Sequence, residues 1–221
     1  MPRKHELINN QVYHIHTKSI GRSKVFTSDA EYDRMRDMLA YYQFEESTTK
    51  FSLHKKRVGP LEGSLAAHVV NANEGKERIV QVIAYCLLPT HMHLVLKQLK
   101  ENGISRFMAD IKNSYSRYFN LNHRRKGPLW EGRFKNVLID NAEDLAHLTR
   151  YIHRHSVHSS LSNIPEAWNY SSYHEYLCQQ DYRICDYYGI VNMSPDEYRT
   201  YTNDCIAHDK KMETTKHLVL E

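Results

Sequence analysis

Thr90-His91-Met92-His93-Leu94-Val95-Leu96 places two histidines one residue apart at the head of a β-branched and leucine run. In a strand, alternate side chains share a face, so His91 and His93 project together. Met92, Leu94 and Leu96 then turn to the opposite side, towards a core. Two imidazoles held side by side on a rigid strand make half of a metal site. The same triplet also suits a half-buried strand that binds nothing. A second reactive group lies in Leu145-Ala146-His147-Leu148-Thr149-Arg150-Tyr151-Ile152-His153-Arg154-His155. Helical residues four apart share a face, which makes Tyr151 and His155 neighbours on the flank of the apolar stripe Leu145, Leu148 and Ile152. His147 and His158 fall near the same flank and are candidate helpers in proton transfer. A tyrosine one turn from a possible metal ligand, on a helix that can cross the open face of a sheet, is a specific arrangement. The plain alternative is a helix edge with a half-buried tyrosine and exposed histidines.

Positioning these groups takes a sheet and a helix that crosses it. At 221 residues and 41% apolar content the chain has enough material for one domain with a real core. No stretch approaches the roughly 18 apolar residues of a membrane span, and Met1-Pro2-Arg3-Lys4-His5 is followed by no apolar run of a signal peptide. The four cysteines, Cys86, Cys178, Cys185 and Cys205, form no Cys-x-x-Cys pair. A disulfide framework and a zinc ribbon are therefore not indicated, and a reducing cytoplasm is the expected location. The net charge of +4 is too mild to establish a nucleic-acid partner. The 15 histidines and 16 tyrosines stand out; aromatic rings interleaved with basic residues suit stacking on single-stranded bases, and suit an aromatic core equally.

Val12 to Lys18 alternates and is rich in strand formers. Gly21-Arg22-Ser23-Lys24 is a basic loop. Ser28 precedes a helical period through Tyr32, Met35, Met38, Leu39 and Tyr42. Residues 45–78 are hard to read: Gly59 to Ser64 breaks any helix, and Lys55-Lys56-Arg57 reads as a solvated loop in preference to a contact to phosphates. Ile79 to Leu88 and Met92 to Lys97, joined by Pro89-Thr90, read as an antiparallel hairpin. A helix with one wide apolar stripe spans about 104–120. Asn122 to Pro128 is a basic loop, Arg133 to Ile139 a strand, and Asp140 or Asn141 caps a helix running to about Val157. The order strand, helix, strand, strand, helix, strand, helix is a split βαβ pattern. The expected fold is α+β: a ferredoxin-like or RRM-like antiparallel sheet with helices on one face, His91 and His93 on the open one, and a small helical C-terminal extension. The expected division is 1–160 for the catalytic part and 161–221 for the extension. Within the latter, Ser194-Pro195-Asp196-Glu197 is a capping box that starts a helix towards Ala207, and Asp209 to Glu221 reads as a frayed tail.

His91-Met92-His93 resembles the histidine-hydrophobic-histidine motif of the HUH single-tyrosine transposases, which move as single-stranded DNA, and looks most like their REP-associated branch. The likeness extends, in the family's order, through Tyr13-His14-Ile15 with its basic loop, Ala84 to His93, Gly127-Pro128-Leu129-Trp130-Glu131-Gly132-Arg133-Phe134, Arg150-Tyr151-Ile152-His153, and Trp168-Asn169-Tyr170-Ser171-Ser172-Tyr173. It covers roughly Val12 to Tyr176. The resemblance implies that His91 and His93 hold a divalent cation, Mg²⁺ or Mn²⁺, that Tyr151 is the nucleophile, and that the third ligand stands four residues after it. The family usually has Asn or Gln there, followed by proline; this chain has His155 and Ser156. A three-histidine set is softer and brings Zn²⁺ within range. The stretch 45–78 is also longer than the family's usual connection. The implied activity is metal-dependent cleavage and strand transfer of hairpin-containing single-stranded DNA, by a monomer or a homodimer, through a covalent 5′-phosphotyrosine.

Arg22, Lys24, Lys112, Arg124, Arg125, Lys126, Arg133 and Arg154 are candidate phosphate contacts, each equally readable as a solvated charge. Trp130 is a candidate base-stacking platform or a core anchor. Tyr115 is a rival nucleophile, but its place on an apolar stripe favours the core. Two other readings stand beside the transposase: a non-catalytic or domesticated single-stranded nucleic-acid-binding protein, and a zinc hydrolase built on His91, His93 and His155.

Overall fold

The computed structural model describes residues 6–59, 64–180, 182–187 and 192–204. Along these, β1 (Val12–Lys18) leads into α1 (Asp29–Tyr42), α2 (Phe51–Val58) and α3 (Leu65–Ala72); the hairpin β2 (Val80–Leu88) and β3 (His91–Gln98) follows, then α4 (Gly103–Asn122), β4 (Lys135–Ile139), α5 (Ala142–His158), α6 (Tyr173–Tyr176) and α7 (Pro195–Asn203). The strands form one antiparallel sheet in the order β2-β3-β1-β4. This is the expected ferredoxin-like α+β arrangement.

Directly opposed residues of an antiparallel ladder share a face. Ile15 stands opposite Leu94, Tyr13 opposite Leu96 and Tyr85 opposite Leu94; these side chains are fully buried beneath α1 and α4, with Met35, Phe107 and Ile111. Gly103 opens α4 where its backbone presses on the carbonyl of Ile79; a Cβ there would lie 2.2 Å from that oxygen. The second face is not open. α5 lies across it, its side chains meeting those of His91 and His93, so that His93 keeps 1% of its surface. Asn141 caps α5 by accepting the Asp144 N–H, and Ser194 and Glu197 form the capping box of α7, both as the local residue pattern requires.

The chain after α5 runs back along the outer edge of β2. Ser171 bridges Cys86, the Leu87 N–H donates to the Tyr170 carbonyl and the Ser172 N–H to the Tyr85 carbonyl. His153 of α5 joins this strap to α7, with Nε2 2.7 Å from Ser172 Oγ and Nδ1 2.7 Å from Tyr198 Oη. Thus the edge of the sheet is covered by late sequence.

Two expectations need correction. Lys55, Lys56 and Arg57 are exposed, but on the last turn of α2 rather than in a loop, where cations suit the negative end of the helix. α3 was hidden by the same Gly59 to Ser64 break, because two short helices beside a breaker leave no long period to detect. The helix begun at Ser194 is described as far as Asn203; Ala207 and the expected tail at Asp209 to Glu221 lie outside the described residues. No described helix is long and apolar enough to cross a membrane.

Candidate active site

The hairpin turn and the β1 pairing build the site. His16 stands opposite His93 and Lys18 opposite His91. His14, two residues before His16, shares that face. Four histidines therefore converge on the sheet surface that α5 crosses with Tyr151 and His155. His91 Nε2 lies 3.1 Å from His155 Nε2, and His91 Nδ1 lies 2.9 Å from Thr90 Oγ1. His93 Nδ1 lies 2.9 Å from His14 Nε2, and its Nε2 is buried with no partner. His155 Nδ1 is likewise buried and unpartnered. The Tyr151 ring centre is 6.3 Å from that of His93, 5.2 Å from His155 and 5.8 Å from His158. These groups, with Arg22 and Lys18 at the rim, line a cavity of about 340 Å³.

Burial and crowding by like groups hold the cluster neutral. Desolvation, then the field of Arg22, lowers His91 to about 4. Desolvation, then neighbouring histidines, lowers His16 and His155 to about 3 each and pushes His93 well below its usual range. Neutral imidazoles are the form that ligates a metal.

The expected quartet of Tyr151, His91, His93 and His155 is brought together from β3 and α5. The tightest potential ligand group among the described residues is nevertheless His16, His91 and His93, whose ligand atoms all lie within 4.8 Å of one another. His16 was missed as a site residue. Its signal was in the sequence, since Val12 to Lys18 alternates and puts His14 and His16 on one face; the register against β3 was not. His158 stacks beside Tyr151, whereas His147 is held by Tyr201 of α7, 2.8 Å away.

The expected DNA contacts divide. Arg22 is exposed at the cavity rim; Lys24, Arg124, Lys126 and Arg133 are exposed on loops. Lys112 donates to the Gly132 carbonyl, and desolvation lowers it to about 8. Arg125 donates to Asn120 Oδ1 and to the carbonyls of Gly127 and Pro128, so it shapes its own loop. Arg154 is buried and donates to the Thr202 carbonyl, tying α5 to α7 instead of reaching solvent. Trp130 is buried beside Phe26 and Tyr115, as an anchor and not a platform. Tyr115 is in the core on the other side of the sheet, its hydroxyl donating to the Val25 carbonyl, and burial drives its pKa far up.

Residues 53–155 match the family model described as transposase IS200-like. That span runs from α2 to His155 and includes the whole histidine hairpin and Tyr151. Over that span, a little under half of its length, the chain is similar to the IS200-like transposases. A protein of Haemophilus influenzae described as a REP-associated tyrosine transposase is 32% identical over 105 residues, 42% of this chain and 59% of that protein. The match thus spans less than two thirds of that relative. A solved structure of a REP-associated tyrosine transposase bound to a REP hairpin superposes on this chain with a TM-score of 0.55 and 19% identity, covering 88% of this chain and 96% of the other. That agreement is one of fold. A transposase structure from Deinococcus radiodurans reaches a TM-score of 0.35 at 15% identity over 70% of this chain and 97% of its own, and carries no weight for the fold.

Proposed function

We propose that this protein cleaves and rejoins single-stranded, hairpin-containing DNA through a covalent 5′-phosphotyrosine on Tyr151. The observation that supports this reading most is the cavity in which Tyr151 meets His91, His93 and His155, residues from separate elements with no shared structural purpose. The hairpin bound by the solved fold relative fits the same partner class.

The residues fit a divalent cation. His16, His91 and His93 offer three neutral imidazoles in one group, and the unpartnered buried Nε2 of His93 is otherwise an uncompensated cost. An all-nitrogen set suits Mn²⁺ or Zn²⁺ better than Mg²⁺, which prefers oxygen. His155 supports His91 through the 3.1 Å contact. When bound, a cation supplies charge neutralisation on the scissile phosphate.

The Tyr151 phenol gives up its proton and its oxygen attacks phosphorus. An O–P bond forms as the P–O3′ bond breaks, and the departing 3′ oxygen takes a proton to become a 3′-hydroxyl. One phosphodiester replaces another, so the step reverses when a 3′-hydroxyl is presented. Free tyrosine has a pKa near 10, so it needs the cation or a base to become a good nucleophile; His155, lowered to about 3, is too weak a base, and the His158 ring stacked beside the phenol is the candidate acceptor. Arg22, Lys18 and the exposed loop cations steer the strand to the rim. Residues 1–160 carry this chemistry in our reading, with 161–221 as the extension, whose described residues Ser172, Tyr198 and Thr202 brace α5.

The test uses 5′- and 3′-labelled single-stranded hairpin oligonucleotides from the flanks of the protein's own gene, with Mn²⁺, Mg²⁺, Zn²⁺ or EDTA. A denaturation-resistant protein–DNA band that needs metal and disappears in Tyr151→Phe is the expected result. Binding that ignores EDTA, with no band in any metal, would replace this reading by the non-catalytic one; turnover that survives Tyr151→Phe would replace it by the hydrolase.

A further inference from the structure

On the sheet side away from the histidines, α1, the start of α2 and α4 enclose a second cavity of about 720 Å³. One wall is built by Ser47, Thr48, Thr49, Lys50 and Ser52. Arg34 of α1 is 92% buried there, since it keeps 8% of its surface. Its guanidinium carbon lies 4.3 Å from the centre of the Phe51 ring and 5.0 Å from that of Tyr118, held between the two. Arg34 Nε is buried without a hydrogen-bond partner. Among the described residues no carboxylate lies within ion-pairing distance of Arg34. The adjacent Asp33 pairs with Arg36, and Asp37, three residues on, is itself raised to about 6, by burial first. Lys50, Arg106 and Arg117 also line the cavity, against one carboxylate, Asp110, which Arg106 meets at 3.9 Å. The N-terminus of α2 opens on the same space at Lys50 and Ser52.

Asp37 lies near enough to act on Arg34 through its field but forms no direct ion pair with it, and a buried guanidinium whose Nε–H has no acceptor is costly. Cations in excess, a fork of N–H donors aimed into a polar space and a helix N-terminus are the recognition chemistry of an oxyanion with several acceptors. We propose that this cavity is a phosphate-binding site, separate from the Tyr151 centre, in which Arg34 is the primary donor and Arg117 and Lys50 assist. The Phe51 and Tyr118 rings both pack on the Arg34 guanidinium and restrain it, so a tetrahedral anion meets a pre-positioned fork of N–H groups. The phosphate is either a phosphodiester of a nucleic-acid strand passing over the helical layer or a free phosphate group.

The experiment uses the full chain carrying Tyr151→Phe, so that the Tyr151 chemistry plays no part. Inorganic phosphate is titrated at constant ionic strength, followed by the Arg34 Nε–H resonance and by calorimetry, and a short oligothymidylate lacking terminal phosphates is titrated in parallel. The expected result is saturable phosphate binding that shifts the Arg34 resonance and weakens about tenfold in Arg34→Gln. Arg117→Gln and Lys50→Gln, at exposed positions, weaken it in the same direction and keep the test decisive where Arg34→Gln fails to fold. Oligothymidylate competing with phosphate assigns the source to a strand; phosphate binding without competition assigns it to a free anion. No saturable binding, or binding indifferent to all three substitutions, overturns the site and leaves the Tyr151 reading untouched.

Discussion

His14 Nε2 sits 2.9 Å from His93 Nδ1, behind the histidine cluster. When His93 donates its Nδ1 proton to His14, the lone pair of His93 Nε2 is left facing the other rings. His14 is then an orienting partner of the kind that metal-binding histidines use to fix their tautomer. His14→Ala is expected to lower Mn²⁺ and Zn²⁺ affinity about tenfold to a hundredfold, measured by competition with a chromophoric chelator. Unchanged affinity would assign the contact to packing alone.

The third ligand is the next question, because two histidines compete for it. His16 belongs to the group within 4.8 Å, and His155 touches it through His91. His16→Ala is expected to reduce metal affinity by at least about tenfold, and His155→Asn by less. The Co²⁺-substituted protein reports the difference as a change in visible absorption. The opposite ranking would return the ligand role to His155.

Glu175 makes stability depend on pH. It is fully buried, accepts from the Tyr85 hydroxyl at 3.1 Å and from the Cys185 N–H at 2.8 Å, and desolvation raises it to about 7. The native state therefore holds this proton more tightly than the unfolded chain, whose carboxyl titrates near 4.5. Stability from this group is present below 4.5 and is lost as pH rises through 7, amounting to about 3 kcal/mol. The buried histidines slope the other way, so the comparison must be relative. Glu175→Gln should gain about 2 kcal/mol on the wild type between pH 5 and pH 7.5 in urea unfolding. A constant difference across that range would place the native carboxyl in its ordinary range.

Gly103 has no left-handed backbone to protect, yet a methyl group there collides with the Ile79 carbonyl, at 2.2 Å from Cβ. That oxygen also accepts from the Leu99 and Lys100 N–H groups, so it is not free to move. Gly103→Ala is expected to destabilise by about 3 kcal/mol, read as a lower urea midpoint at unchanged slope. A variant as stable as the parent would mean that α4 slides along the sheet at little cost.

Much of this was legible in the order of residues. The period-2 runs at Val12 to Lys18 and in the hairpin, the 3.6-residue period of α4 and α5, and the caps at Asn141 and Ser194 are local signals, and each element formed where they point. The Tyr151 and His155 pair was equally local, being one helical turn. What escaped was non-local. That His16 faces His93 depends on the pairing of β1 with β3, whose partners are set by the folded sheet and not by either strand. The buried roles of Arg154 and Trp130 depend on α7 and on the Phe26 and Tyr115 rings, brought from far along the chain. A charge and an indole look alike in sequence whether they meet solvent or a carbonyl.

The pairing of Ser171 with Cys86 has a consequence for how the molecule is made. Translation is vectorial, and every residue of the Tyr151 cavity emerges before the segment that seals β2. In that interval the nascent chain carries a complete cluster of reactive rings and a strand whose outer N–H and C=O groups are unsatisfied, the surface that recruits other chains. A release product ending near residue 160 would be frozen in that state, aggregating on a sizing column and marked for degradation instead of acting as a smaller nuclease. The segment from Tyr170 to Ser172 thus closes the sheet only after every residue of the Tyr151 cavity has been made.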